Sequence, residues 1–279
     1  MSSPGFSYAK KGLLVRLAYL FIALLNLILY RVLGRADGVV VLCYHSVSAE
    51  QRASFERQMQ YVANRVVSLD GVEGVSDRDS VVVVTFDDAF ECLLDNVMPV
   101  VRHHCVPIAI FAVSENLGEP PAWLSGSGHP DAVLPTMTAE QLRALASVPG
   151  CLIGSHSARH RRLGDLATAE VEVELATSKS LLEEALGVPC HYLALPHGSY
   201  RPEVIDLALR HGYHKILTLD EIALPSRWPA GTVGRFSASP DMWMIEFVLT
   251  VHGAYAWLYA WRAWIRQLRA SFAGHRHAS

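Results

Sequence analysis

Charge is scarce in this chain of 279 residues. Only 18% are Asp, Glu, Lys or Arg, against 51% apolar, and the net charge is −3. No long basic run lies between the two ends, which argues against nucleic acid as a partner. Cysteine is sparse and dispersed: Cys43, Cys92, Cys105, Cys151 and Cys190 are odd in number and form no CxxC pair. That weighs against a thiolate zinc site or a disulfide framework. It reads as small apolar side chains in a reducing compartment, which favours a cytoplasmic catalytic domain. No internal repeat is present. The length suffices for one large α/β domain with a sizeable core.

What the middle lacks, the ends supply. Leu17 to Tyr30 carries no charge and is flanked by Arg16 and Arg31, with Lys10 and Lys11 before it and Arg35 after. It is short for a comfortable span. Arg16, Tyr19, Ala23, Asn26 and Tyr30 share one helical face, so an amphipathic helix lying in the membrane plane is the other reading. No small-residue cleavage site follows, so the segment reads as retained. Met242 to Ile265 is a second apolar stretch. It carries Trp243, Tyr255, Trp257, Tyr259, Trp261 and Trp264, and Arg262, Arg266 and Arg269 at its end. Aromatics beside arginines suit a membrane interface; a helix laid on the core is the alternative. The expected organisation is an anchor over 1–37, a catalytic domain over 38–240, and an aromatic helix with a basic tail over 241–279. Membrane association through the termini follows, with its sidedness open.

Between the ends, short apolar runs alternate with helical periodicity. Val39–Tyr44, Val81–Phe86, Ile108–Val113, Leu152–Ser155, Tyr192–Leu195 and Lys215–Thr218 read as strands. Phe55, Met59 and Val62 share a helix face, as do Val171, Leu175, Ser178 and Leu182. A helix over Phe90–His104 is expected to kink or end near Pro99. Thr138-Ala139-Glu140-Gln141 is a capping box, Gly187 a helix stop, and Pro202 a helix start. Repeated β-then-α units imply parallel strands with right-handed crossovers. About seven of them predict a distorted, incomplete (β/α) barrel, with the loop Glu115–Thr136 on its catalytic rim.

Two motifs stand on that rim. Thr85-Phe86-Asp87-Asp88 ends a buried strand, where two adjacent carboxylates lose hydration unless a cation or a proton-transfer task needs them. His156 and His160 follow Gly154-Ser155 four residues apart, so a helical turn there would aim both imidazoles at one cation. Together these are the donors of a mononuclear hydrolytic metal site. One carboxylate binds the cation, and the other is free to take a proton from a polarised water. Extended backbone would send the two side chains opposite ways. His45, at the tip of Val39–Tyr44, can protonate a leaving amine or serve as a core histidine. Pro196-His197-Gly198 offers backbone N–H groups for an oxyanion hole, or is a plain strand-to-helix turn. Arg235 can hold Asp87 in a bidentate pair, or be solvated.

In order and spacing, these motifs resemble the polysaccharide deacetylases of the NodB-homology type, carbohydrate esterase family 4, over about residues 38–240. The resemblance implies that Asp87 is the base, that Asp88, His156 and His160 hold a divalent cation, most plausibly Zn²⁺, and that Leu195-Pro196-His197-Gly198-Ser199-Tyr200 is the third motif. Cys43-Tyr44-His45-Ser46-Val47 is similar to the opening motif of members that deacetylate poly-N-acetylglucosamine. In those members the acid histidine comes from the first strand, here His45. Ala194 stands where many relatives carry arginine, as in that subgroup. Ala89 replaces a usual Gly, and His197 a usual Tyr. The implied substrate is an N-acylated glycan or glycolipid. The other readings are a deformylase or deacetylase of an undecaprenyl-linked sugar at the membrane face, and a non-catalytic glycan-binding subunit of a polysaccharide synthase complex.

Overall fold

Alternation along the strands decides what lies inside this molecule. The structure, a computed structural model, describes residues 12–33, 38–74, 80–222 and 231–259 together with Trp261 and Trp264. In order the elements are α1 (Leu13–Val32), β1 (Val39–Tyr44), α2 (Arg52–Val62), β2 (Val81–Phe86), α3 (Leu93–Asn96), α4 (Met98–His103), β3 (Ile108–Ala112), α5 (Ala139–Ala146), β4 (Cys151–Ser155), α6 (Thr168–Leu186), β5 (Tyr192–Ala194), α7 (Pro202–Arg210), β6 (Lys215–Leu217), β7 (Thr232–Val233), β8 (Phe236–Ser237) and α8 (Met244–Val251). The helix expected over Phe90–His104 is two short ones, broken at Val97, and Pro99 opens the second where its missing N–H costs nothing. The capping box at Thr138 and Gln141 is formed.

Eight strands make one sheet in the order β7-β6-β5-β4-β3-β2-β1-β8, all parallel. β7 and β8 lie at opposite ends of that order, yet only Gly234 and Arg235 separate them. Three backbone steps span about 11 Å at most. The sheet therefore curls until its two edges nearly meet, giving an open half-barrel with Arg235 at the seam. Gly234 is required there: a Cβ would sit 2.4 Å from the carbonyl oxygen of Asp220.

The period of two then sorts the side chains. Val40, Leu42, Tyr44, Val82, Val84 and Phe86 face the helices and join the larger apolar cluster, with Phe55, Met59 and Val62 of α2 packed on it. Val39, Val41, Val83, Ala109, Phe111 and Leu217 belong to a second cluster on the inner face. Continuing the inner rows towards the C-terminal strand ends leads from Val39 and Val41 to Cys43, and from Val83 to Thr85 and Asp87. The apolar interior thus gives way to polar groups at one rim.

α1 is long and apolar enough, by length and composition, to cross a membrane. It packs along α8 and the turn that follows it. The face bearing Arg16, Tyr19, Ala23 and Asn26, which motivates the in-plane reading, is the side seated on the protein, with Ala23 fully buried. Lys10, Lys11, Arg35, Arg262, Arg266 and Arg269 lie outside the described residues.

Candidate active site

Asp87 leaves β2 with its N–H donating to the carbonyl of Tyr44 at 2.9 Å. Both carboxylate oxygens meet the guanidinium of Arg235, at 2.6 Å from Nη1 and 2.8 Å from Nη2. Arg235 is fully buried, so the solvated reading fails. It also donates to Thr85 Oγ1 and to the carbonyl of Thr218, each at 3.2 Å. The thiol of Cys43 adds a contact to Asp87 Oδ2 at 3.2 Å. Burial alone pushes the Asp87 carboxyl up, but the Arg235 charge, then His156, hold it below the usual carboxylate range. Burial pushes the Cys43 thiol well up, which keeps its proton on sulfur as a donor.

Asp88 has no such partner. Its backbone is left-handed, at φ 68°, and this turn, not the alternation of an extended chain, separates its carboxylate from that of Asp87. Burial, then the charge of Asp87, raise its pKa well above the ordinary value. Its Oδ1 is buried without a hydrogen bond. That oxygen lies 3.7 Å from His156 Nε2 and 3.3 Å from His160 Nε2. Asp88, His156 and His160 form a group whose donor atoms all lie within 4.8 Å of one another.

The two imidazoles are held differently. His156 Nδ1 is 2.8 Å from the carbonyl of Ala194, an acceptor only, so Nδ1 carries the hydrogen and Nε2 turns a lone pair towards Asp88. Burial pushes its pKa down to about 4, against the attraction of Asp87. His160 stacks on Trp123, with centroids 4.5 Å apart and planes at 18°. Burial, then His156, push its pKa well down. Both rings are neutral donors at neutral pH.

The histidine segment is not the helical turn that the four-residue spacing predicts. Ser157 and His160 have φ of 67° and 57°. The loop is fixed by its own hydroxyls: Ser157 N–H donates to Ser155 Oγ at 3.1 Å and His160 N–H to Ser157 Oγ at 3.0 Å. From α6, the buried Glu174 accepts from the N–H groups of Ala158 and Arg159 at 3.1 and 3.0 Å. Sequence reasoning missed Glu174, although it falls on the apolar stripe of Val171, Leu175 and Ser178, where a charge needs a reason.

The remaining expected residues sit around this group. His45 follows β1 and is exposed at the mouth; its donor atoms and those of Cys43 and Asp87 lie within 4.8 Å of one another. The protein around it still lowers its pKa, chiefly by desolvation, against the pull of Asp87. His197 occupies the turn after β5 at φ 58°, its ring edge-on to His160 at 4.6 Å, between the buried Pro196 and Gly198. Two further residues of the rim loop were not anticipated: Trp123 beneath His160, and Asp131, which accepts from Ser46 Oγ at 2.8 Å.

The donor set fits a divalent cation. Tetrahedral bonds of about 2.0–2.1 Å put ligand atoms roughly 3.3 Å apart, close to the two distances from Asp88. Arg235 neutralises one of the adjacent carboxylates and leaves the other without a counter-charge. The Cys43, His45 and Asp87 group is a poorer candidate, since Arg235 already holds both oxygens of Asp87 and the thiol is protonated.

Residues 74–216 match the family model described as polysaccharide deacetylase. YxkH of Bacillus subtilis (strain 168), named as a protein of that kind, is 23% identical over 215 residues, 72% of each chain. Among solved structures, IcaB from Ammonifex degensii is similar with a TM-score of 0.64 and 24% identity, over 78% of this chain and 98% of that one. The Streptococcus pyogenes deacetylase PplD, solved with acetate, gives 0.62 and 19%, over 77% and 97%.

Proposed function

From a chain that belongs to the polysaccharide deacetylase family, and is thus a hydrolase of that type, we propose a metal-dependent amidohydrolase that removes an N-acetyl or other N-acyl group from a sugar of a polysaccharide or glycolipid. One observation carries the reading: a buried carboxylate without counter-charge, Asp88, faces two neutral imidazoles beside a second carboxylate that an arginine keeps ionised.

Asp88, His156 and His160 would hold the cation, for which the set of two imidazoles and one carboxylate suits Zn²⁺, and which when bound supplies Lewis acidity to the acyl carbonyl and to water. Asp87 takes a proton from the attacking water as its oxygen joins the carbonyl carbon. Arg235, and Cys43 through its thiol, keep that carboxylate oriented. The backbone N–H of His197, in the turn shaped by Pro196 and Gly198, donates to the developing oxyanion. His45 gives a proton to the departing nitrogen as the C–N bond breaks. The products are a free amino sugar and acetate, or formate from an N-formyl substrate. We place the catalytic domain over residues 38–240 and membrane association in the segments on either side, which suits a nascent or lipid-linked glycan.

Metal analysis combined with amine release from N-acetylglucosamine oligomers and from lipid-linked N-acyl amino sugars tests this. Release by the metal-loaded protein, abolished in Asp87→Asn with its metal retained, is expected. Bound metal with no release from any glycan would leave a glycan-binding subunit. Undiminished turnover in Asp87→Asn would remove Asp87 from its role.

A further inference from the structure

α1 is riveted to α8 and the residues just after it along most of its length, and α8 in turn packs into the core of the body. Near its start, Arg16 forms an ion pair with the buried Glu246 and lies 4.0 Å over the ring of Trp243. Tyr19 meets Trp257 edge-on at 5.6 Å. Asn26 donates to the carbonyl of Ala254 at 2.9 Å, and Arg31 reaches His252 at 3.3 Å. From Arg16 to Arg31 these contacts cover about 22 Å of helix at 1.5 Å per residue. A hydrocarbon core is about 30 Å thick. A helix docked sideways over that distance cannot span a bilayer unless the body enters with it, and undocking would break the ion pair of Arg16 with Glu246.

The opposite side of α1 is covered by nothing among the described residues. Leu14, Phe21, Leu25, Ile28, Leu29 and Val32 expose between 50% and 81% of their surface. Beyond α8, Trp261 and Trp264 are half-exposed. Charge is segregated in the same way. Residues 1–37 and 241–279 contain nine Lys or Arg and three Asp or Glu, while residues 38–240 contain 15 and 24. The body, at net −9, is repelled by an anionic surface; the two ends, at net +6, are drawn to one.

We infer that α1 and the C-terminal aromatic segment form one platform that seats the protein in the plane of an anionic bilayer leaflet, without crossing it. The exposed aliphatic row enters the acyl boundary and the flanking lysines and arginines meet lipid phosphates. β8 delivers the chain to the catalytic rim shortly before α8 begins, so the Arg16 end of α1 is the end beside the rim. The mouth of the site then opens along the membrane surface. This deepens the membrane association proposed above and is independent of the deacetylation chemistry.

The full chain is floated with vesicles of phosphatidylcholine alone and with vesicles containing 30% phosphatidylglycerol, then treated with alkaline carbonate. Binding at least tenfold tighter to the anionic vesicles, weakened by salt and reversed by carbonate, is expected. Phe21→Asp with Ile28→Asp should abolish flotation while amine release from soluble oligosaccharides persists. Resistance to carbonate would overturn the in-plane seating and favour a spanning helix. Equal binding to both vesicle types would overturn the anionic preference. Absence of flotation, with a dimer that the double variant dissolves, would assign the face to a second copy and remove membrane association while leaving the proposed chemistry standing.

Discussion

Arg235 and Asp87 lie 148 positions apart in the chain and meet in a two-point ion pair at the seam of the half-barrel. The pair exists because β7 and β8 occupy opposite edges of the sheet with two residues between them. The turn that joins the edges carries the guanidinium to the strand that carries the carboxylate.

Arg235→Met removes one partner of this buried pair and should destabilise the protein by about 3–5 kcal/mol. Chemical denaturation measures it. Arg235→Lys keeps the charge but loses the fork, so Asp87 is held ionised less strongly. If Asp87 is the base, the acid limb of the kcat/KM profile moves to higher pH. An unmoved limb, with the variant folded, would separate the pair from the chemistry.

Asp88→Asn should bind Zn²⁺ far more weakly, by calorimetry, and isolates the histidines for a pH test. His156 is held at about 4 when folded, against about 6.5 in an unfolded chain. Between those values the unfolded chain takes up the proton and the folded one does not, so stability falls as pH falls. The melting temperature of this variant is therefore expected to drop from pH 6.5 to pH 4. In the metal-free wild type the raised Asp88 carboxyl works the other way, because the folded state then holds the extra proton. The wild-type slope should be shallower. A flat profile in the variant would contradict the burial of neutral imidazoles.

Glu174→Ala strips the acceptor from two consecutive N–H groups inside the loop between His156 and His160. Cation affinity should weaken by about 10–100-fold, with the fold retained by circular dichroism. Glu174→Gln, which keeps an oxygen acceptor, should lose less. Equal affinity in all three proteins would confine Glu174 to packing.

Much of this architecture was legible because burial imposes periodicity. The valine runs of β1 and β2 can only be strands covered on both faces, and the acids at the end of one of them demanded a counter-charge. β7 and β8 were not legible: two residues carry no period, and only the curl of the whole sheet gives them partners. The helical reading of the segment from His156 to His160 failed for a related reason. Spacing of four suits a helix, but Ser155, Ser157 and Glu174 offer the backbone other hydrogen bonds, and positive φ at Ser157 and His160 follows. Arg235 could be read as a partner of Asp87 or as a surface cation, since a lone arginine after a glycine states neither. The polar stripe of α1 was visible, but not that the stripe faces protein.

Gly154 has no room for a single extra carbon: its Cβ would fall 2.5 Å from Cε1 of Phe111. The guanidinium carbon of Arg235 lies 5.6 Å from the centre of that ring, within reach of a cation–π attraction. Anything that tilts the ring, even an alanine two places before a histidine, shifts the carboxylate gripped above it. Mutations deep in the apolar interior can in this way retune the reactive end from beneath, with every group at the mouth left in place.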